Sequence, residues 1–244
     1  MLKIENTEVL GWEHAIRGMR NPMNSWEKSD SCYCLGPVCP DDATLNLCKY
    51  ECPYYKTDSC ENAYCAPFTV GPNDHSLMIK LRNAGTDHRK FMRMITVYLD
   101  ITAPLYWWKE FDTYKVGTVA NSCSTMHKIH AKEFTLEDFS TEHLYPEVRE
   151  AFENTIIKYL NEARKTYNFL SDTPSKKDAW WQMIQLLPSS YNQKRTVMLN
   201  YEVLANIYKS RRNHKLDEWH TFCDWIESLP YSELITGNEK EVLG

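Results

Sequence analysis

The sequence lacks any apolar run near the roughly 20 residues that a membrane-spanning helix requires. Met1 to Glu13 alternates charged and apolar residues where a secretory leader would have an apolar centre. These absences predict a cytoplasmic protein with no membrane partner. A basic excess is also missing, since 28 Lys and Arg stand against 33 Asp and Glu for a formal net charge of -5. That balance argues against a nucleic-acid partner, which would need a net positive face. A free nucleotide remains compatible, because a few local cations suffice to hold one. Cysteine is scarce over most of the chain, with only Cys123 and Cys223 outside residues 32–66. In a reducing compartment the cysteines are read as free thiols or metal thiolates, not disulfides. No catalytic triad is evident, and His127, His130 and His143 are too irregularly spaced for a helical metal pair. There is no internal repeat.

What is present suits a single domain spanning 1–244, because 43% hydrophobic residues and 13% aromatics can fill one substantial core. Residues 32–66 read as a Cys-rich insertion. They hold seven of the nine cysteines together with Pro37, Pro40 and Pro53 and few aliphatic residues, so they cannot build a hydrophobic centre of their own. Cys34 and Cys39, Cys48 and Cys52, and Cys60 and Cys65 form close pairs, and Cys39 and Cys52 each precede a proline that helps the chain turn around an ion. Zinc or an iron–sulfur cluster would supply the order that a core cannot. None of the pairs has the standard two-residue spacing, and reduced free thiols are the equal alternative.

Pro72-Asn73-Asp74 opens a short helix over about 74–84, with Leu77, Met78 and Leu81 on one face and Gly85 as its stop. From Phe91 to Thr102, Ile95, Val97, Leu99 and Ile101 alternate with more polar neighbours, the period of a half-buried strand that Pro104 ends. An aromatic segment, Leu105 to Phe111, precedes a turn-rich stretch from Gly117 to Ser124. The second half reads as helical, with Val148, Phe152, Ile156, Leu160 and Ala163 at three- and four-residue steps. Further helices are expected at about 176–187, 197–212 and 214–228.

Within the expected 197–212 helix, Asn200, Asn206 and Arg211 are placed to act together. At about 100° per residue the two Asn lie roughly 120° apart, with Arg211 close in angle to Asn200. Guanidinium and amide groups suit bidentate recognition of a phosphate or a base edge, whereas the plain alternative is a solvated polar face. The segment from Leu187-Pro188 to Arg211 resembles the flavin-dependent thymidylate synthases, in which a Leu-Pro is followed without gaps by two Asn and an Arg at these spacings. A weaker match continues to Trp219. Ala103, Pro104, Asn121 and Ser124 match a second segment of that family. The resemblance covers roughly residues 73–228.

The resemblance implies an α+β fold with a twisted antiparallel sheet packed by helices, assembled as a homotetramer. It implies an enzyme that transfers a one-carbon unit from methylenetetrahydrofolate to deoxyuridylate (dUMP) or a related pyrimidine nucleotide, with FAD reduced by NADPH. By that resemblance Ser124 faces the uracil ring, Arg211 contacts the substrate, and Asn200, Asn206 and Asn121 line the cofactor. The departures are as specific. The family's Arg-His-Arg falls on Tyr114-Lys115-Val116 or Thr113-Tyr114-Lys115, its Glu on Ser122, a later Arg on Met126, and a flavin-contacting His on Met94. Lys115 is the expected substitute for the lost cations, with Lys109, Arg89 and Arg93 nearby in sequence. These losses sustain a second reading, a non-catalytic nucleotide-binding protein that has given up flavin chemistry.

Overall fold

A computed structural model describes residues 2–33 and 68–237. In chain order its elements are β1 (Lys3–Leu10), α1 (Trp12–Arg20), β2 (Cys32–Tyr33), β3 (Phe68–Thr69), α2 (Pro72–Asn83), β4 (Thr96–Pro104), α3 (Leu105–Phe111) and β5 (Val119–Ser122). There follow α4 (Pro146–Phe152), a π-helical turn (Glu153–Ile157), α5 (Lys158–Phe169), α6 (Pro174–Leu186), β6 (Asn192–Asn200), α7 (Tyr201–Arg211), α8 (Asp217–Glu227) and α9 (Glu233–Thr236). The architecture is a mixture of helices with an antiparallel sheet, as expected. The described residues group into two compact units, one comprising 2–8, 98–199 and 210–225, the other 9–33, 68–97, 200–209 and 226–237.

Most residues of the four-stranded sheet, in the order β1-β4-β6-β5, belong to the first unit. Alternation along its part of β4 buries Leu99, Ile101 and Ala103. Pro104 ends β4 and its extended backbone starts α3, whose Trp107, Trp108 and Phe111 are all buried. Trp107 packs on Trp219 of α8 with ring centroids 4.8 Å apart and on Phe111 at 5.1 Å. Burying rings of this size contributes about 1.5–3 kcal/mol each. The aromatic segment therefore forms a core in this unit. A second core in the same unit joins Ile129, Phe134 and Phe139 to Ile157, Leu160, Ala163 and Met183.

The second unit centres on Met78, Phe91, Met92 and Ile95, with Trp12 packed edge-on against Tyr201 at 5.3 Å and Tyr231 at 5.1 Å. Its polar knot is Asp74, fully buried, which accepts from Arg20 Nε at 2.6 Å, Ser29 Oγ at 2.7 Å and Ser31 Oγ at 2.6 Å. Cys32 pairs with Thr69 and Tyr33 with Phe68, so β2 and β3 form a short antiparallel sheet. The six candidate metal ligands, Cys34, Cys39, Cys48, Cys52, Cys60 and Cys65, lie outside the described residues.

Three element expectations are corrected. The strand expected from Phe91 begins at Thr96, because Arg89–Arg93 winds as a 3-10 turn that buries Phe91 and Met92. The turn-rich stretch contains β5, an edge strand paired antiparallel to β6 with Asn121 opposite Thr196 and Ser122 opposite Arg195. All four of its residues are exposed, so no burial alternation marked it. The helix expected from 197 begins at Tyr201. Gln193, Val197 and Leu199 are buried with Thr196 exposed between them, and this two-residue period makes 192–200 a strand.

Candidate functional site

Glu110 at the end of α3 is the hub of a polar cluster in the first unit. Its Oε2 accepts from Arg211 Nη1 at 2.9 Å and from Trp219 Nε1 at 2.8 Å, with His214 Nε2 at 3.3 Å. Arg211 Nε donates to Tyr114 Oη at 2.9 Å. The guanidinium also faces the rings of Trp219 at 4.9 Å and Tyr114 at 5.6 Å. Leu216 N donates to His214 Nδ1 at 3.2 Å, so that nitrogen is an acceptor and Nε2 carries the hydrogen toward Glu110. Arg211 is thus fixed in orientation and charge-matched before any ligand arrives.

Tyr114 lies on the wall of an open cleft of about 160 Å³ lined by Phe111, Asp112, Tyr114, Lys115, Thr118 and Ala120. The chain reverses here with Gly117 at φ 81°, and Thr118 N reaches back to Lys115 O at 3.4 Å. Three hydrogen-bond donors line the cleft. Thr118 Oγ1 is enclosed without a partner among the described residues. Tyr114 uses its oxygen as the acceptor of Arg211 and so keeps its own hydrogen for a ligand. Lys115 is exposed. The one lining carboxylate, Asp112, is bound by Arg195 Nη1 at 2.8 Å, and Arg195 in turn lies 4.1 Å over the Trp108 ring. A donor-rich cleft whose acid is already neutralised suits an acceptor-rich, negatively charged group.

The sequence-derived candidates distribute unevenly. Arg211 and Lys115 come together around Tyr114. Asn121 is exposed on β5. Ser124 is exposed in a turn of its own making, accepting from the backbone N–H groups of Met126 at 3.2 Å and His127 at 3.1 Å, with its Oγ 2.8 Å from His127 Nδ1. Its polar partners are therefore separate from those of Arg211. Asn200 is buried and caps α7, its Oδ1 accepting from Val203 N at 3.1 Å. Asn200 thus precedes the helix on which Asn206 and Arg211 sit, and those two, five residues apart, point about 140° away from each other, so the three do not share one helical face. Asn206 is exposed.

Of the other cations, Arg89 is committed to Glu202, with Nη2 3.0 Å from Oε1, while Arg93 and Lys109 are exposed. Met94 is exposed, and its carbonyl lies where a side chain on Gly11 would be. Sequence reasoning missed Glu110, His214 and Thr118. The spacing Glu110 to Tyr114, four residues across the end of a helix, was the available signal for a shared site. Among the described residues no group of three His, Cys, Asp or Glu is arranged to hold a metal ion, and no helix is long and apolar enough to cross a membrane.

No protein-family model matches the chain, and no curated protein does. Solved structures do. Thymidylate synthase X (ThyX) from Helicobacter pylori, in a crystal structure with FAD and dUMP, matches at a TM-score of 0.61 and 13% identity over 96% of both chains. A second crystal structure of that enzyme complexed with FAD and dUMP matches at a TM-score of 0.61 and 14% identity, over 96% of this chain and 97% of the other. Identity this low relates the molecules through their backbones alone, so the chain has the fold of these flavin-dependent thymidylate synthases.

Proposed function

We propose that this chain binds a pyrimidine nucleotide, dUMP or a close relative, as a divergent flavin-dependent enzyme of the thymidylate synthase type. The observation that carries the reading is the held guanidinium of Arg211 beside a donor-lined cleft, in a fold whose solved neighbours contain FAD and dUMP. Because Glu110 balances its charge, Arg211 acts as a directional donor suited to a base edge, while Lys115, Thr118 and Tyr114 suit a phosphate. Ser124, Asn121 and Asn206, all exposed, are the proposed further contacts to substrate and cofactor.

The cleft alone is small. At about 160 Å³ it falls below the roughly 300–1,000 Å³ of whole-ligand sites. The residues present therefore fit a phosphoryl group of a nucleotide or of FAD, and the remainder of either ligand would need surfaces from other copies in a homotetramer. Bound flavin would supply the hydride, after reduction by NADPH, to a carbon unit delivered by methylenetetrahydrofolate. The chain's own part is to orient the nucleotide through Arg211 and Tyr114 and to neutralise its phosphate through Lys115.

A second reading is a nucleotide-binding protein without flavin chemistry, favoured by Met94 and by the single cation Lys115 where the family carries an Arg-His-Arg. Absorbance near about 450 nm after FAD is added and the unbound excess removed separates the two. A yellow protein that turns over dUMP supports the enzyme. A colourless protein that still binds dUMP supports the binder, and one that binds neither rejects both.

A further inference from the structure

The loop after β5 is fastened at several points to the α5–α6 helical pair of the first unit. Trp180 Nε1 donates to Met126 O at 3.0 Å and Asn168 Nδ2 donates to His130 O at 3.2 Å. Ile129 is buried in the second core, and Asn161 brackets Phe134 by accepting from its N–H at 2.9 Å and donating to its carbonyl at 2.8 Å. Between these ties the His130 ring packs on Tyr167 with centroids 4.5 Å apart. Its Nδ1 is enclosed and has no hydrogen-bond partner among the described residues.

The charged groups acting on that ring are both cations. Lys128 comes from the loop itself. Lys176 comes from α6, where its Nζ lies 4.7 Å over the Tyr167 ring and donates to Leu170 O at 3.1 Å. From α5 the ring is faced by Tyr167, with Asn168 on its carbonyl. A neutral imidazole tolerates this setting at the modest cost of one unmet acceptor. A protonated one would bury a new N–H without an acceptor and place a third cation beside two others.

We propose that His130 is a pH-sensitive latch, holding residues 124–132 on the α5–α6 pair while its ring is neutral and releasing them when the ring is protonated. None of the groups that fasten the segment belongs to the Arg211 cluster or its cleft, although the segment begins at Ser124, a proposed substrate contact. Burial first, then Lys128 and Lys176, holds the His130 ring below its ordinary value of 6.5 in the closed state. In the released loop the ring regains that ordinary value. The open state consequently binds more protons just below pH 6.5, and closure loses stability as pH falls through that region.

Hydrogen exchange of the 124–132 amides, corrected for intrinsic rates, tests this at pH values about 7.5 and about 5.5, on either side of the ordinary imidazole range. The wild-type protein is expected to lose protection in this segment at the lower pH, by up to about tenfold for a single titrating group, while His130→Gln, which cannot titrate, keeps one level at both. Equal wild-type protection at the two values overturns the latch, as does a Gln variant that still responds like wild type. Should His130→Gln be open already at the higher pH, the wild-type imidazole resonance decides. A midpoint below 6.5 that coincides with loop release supports the latch, and a midpoint at or above 6.5 overturns it.

Discussion

Arg211 Nη1 donates to Glu110 Oε2 at 2.9 Å, and the same oxygen receives the Trp219 indole at 2.8 Å, so a cation and an aromatic ring are positioned by one carboxylate. The pair is only partly buried, with side-chain exposures of 19% for Arg211 and 33% for Glu110. Solvent screening then limits its worth to stability. Glu110→Gln should cost about 1 kcal/mol or less in a denaturant titration while shifting the tryptophan emission through Trp219. A loss of several kcal/mol would identify the pair as holding the fold, not presenting a site.

Thr118 separates binding from folding in the cleft. Its hydroxyl is enclosed and unpartnered among the described residues, so replacing it with a methyl group removes an unmet polar group without removing volume. Thr118→Val should leave the melting temperature unchanged or raise it, by no more than the equivalent of about 1 kcal/mol. The same variant should weaken dUMP binding several-fold. A clear drop in melting temperature would show that the hydroxyl serves the fold.

Gly11 stands at φ 94°, and a Cβ built there would lie 2.1 Å from the main-chain oxygen of Met94. Both the left-handed backbone and the collision with a carbonyl oppose any side chain. Gly11→Ala should destabilise the second unit by about 3 kcal/mol or more, read from the shift of the denaturation midpoint. A near-neutral result would mean that the β1–α1 junction is placed differently.

Acid sensitivity of the second unit should arise at Asp74. Burial pushes this carboxyl up, but hydrogen bonds from Ser31, Ser29 and Arg20 and the charge of Arg20 outweigh it, and the group sits below its ordinary 3.8. A depressed carboxylate contributes stability that is present above 3.8 and is lost as pH falls through the folded value. Asp74→Asn should cost about 3–5 kcal/mol near neutrality, because Arg20 is left buried and unpaired. It should also flatten the pH dependence of unfolding below 3.8. An unchanged acid limb would assign the sensitivity to other carboxylates.

Elements with a long, clean period were legible in the sequence. The helix expected at about 74–84 is Pro72–Asn83, and the aliphatic alternation after Ile95 is β4. β4 announces itself because one face is buried throughout, and the helix through its Pro72 start and the Gly85 that follows it, with Met78 its buried apolar residue. β5 was not legible, since four exposed residues on a sheet edge carry no burial signal and draw their pairing from β6. The β6–α7 junction misled for a different reason. The residues flanking Asn200 are buried on either account, so the helical period of 201–211 reads backward into the strand, and only the cap hydrogen bond to Val203 marks the boundary. Arg211 and Lys115 were readable as candidates one at a time. Their meeting around Tyr114 depends on α3, the Gly117 turn and the end of α7 together, which no single stretch of sequence encodes.

The most direct test of the account is a calorimetric titration of dUMP into the wild-type protein and into Arg211→Ala, with FAD present in both. The account predicts saturable binding to wild type and at least about tenfold weaker binding to the variant, about 1.4 kcal/mol, with melting temperatures close to one another. Equal affinity in the two proteins, or no binding to wild type at millimolar dUMP, would contradict it.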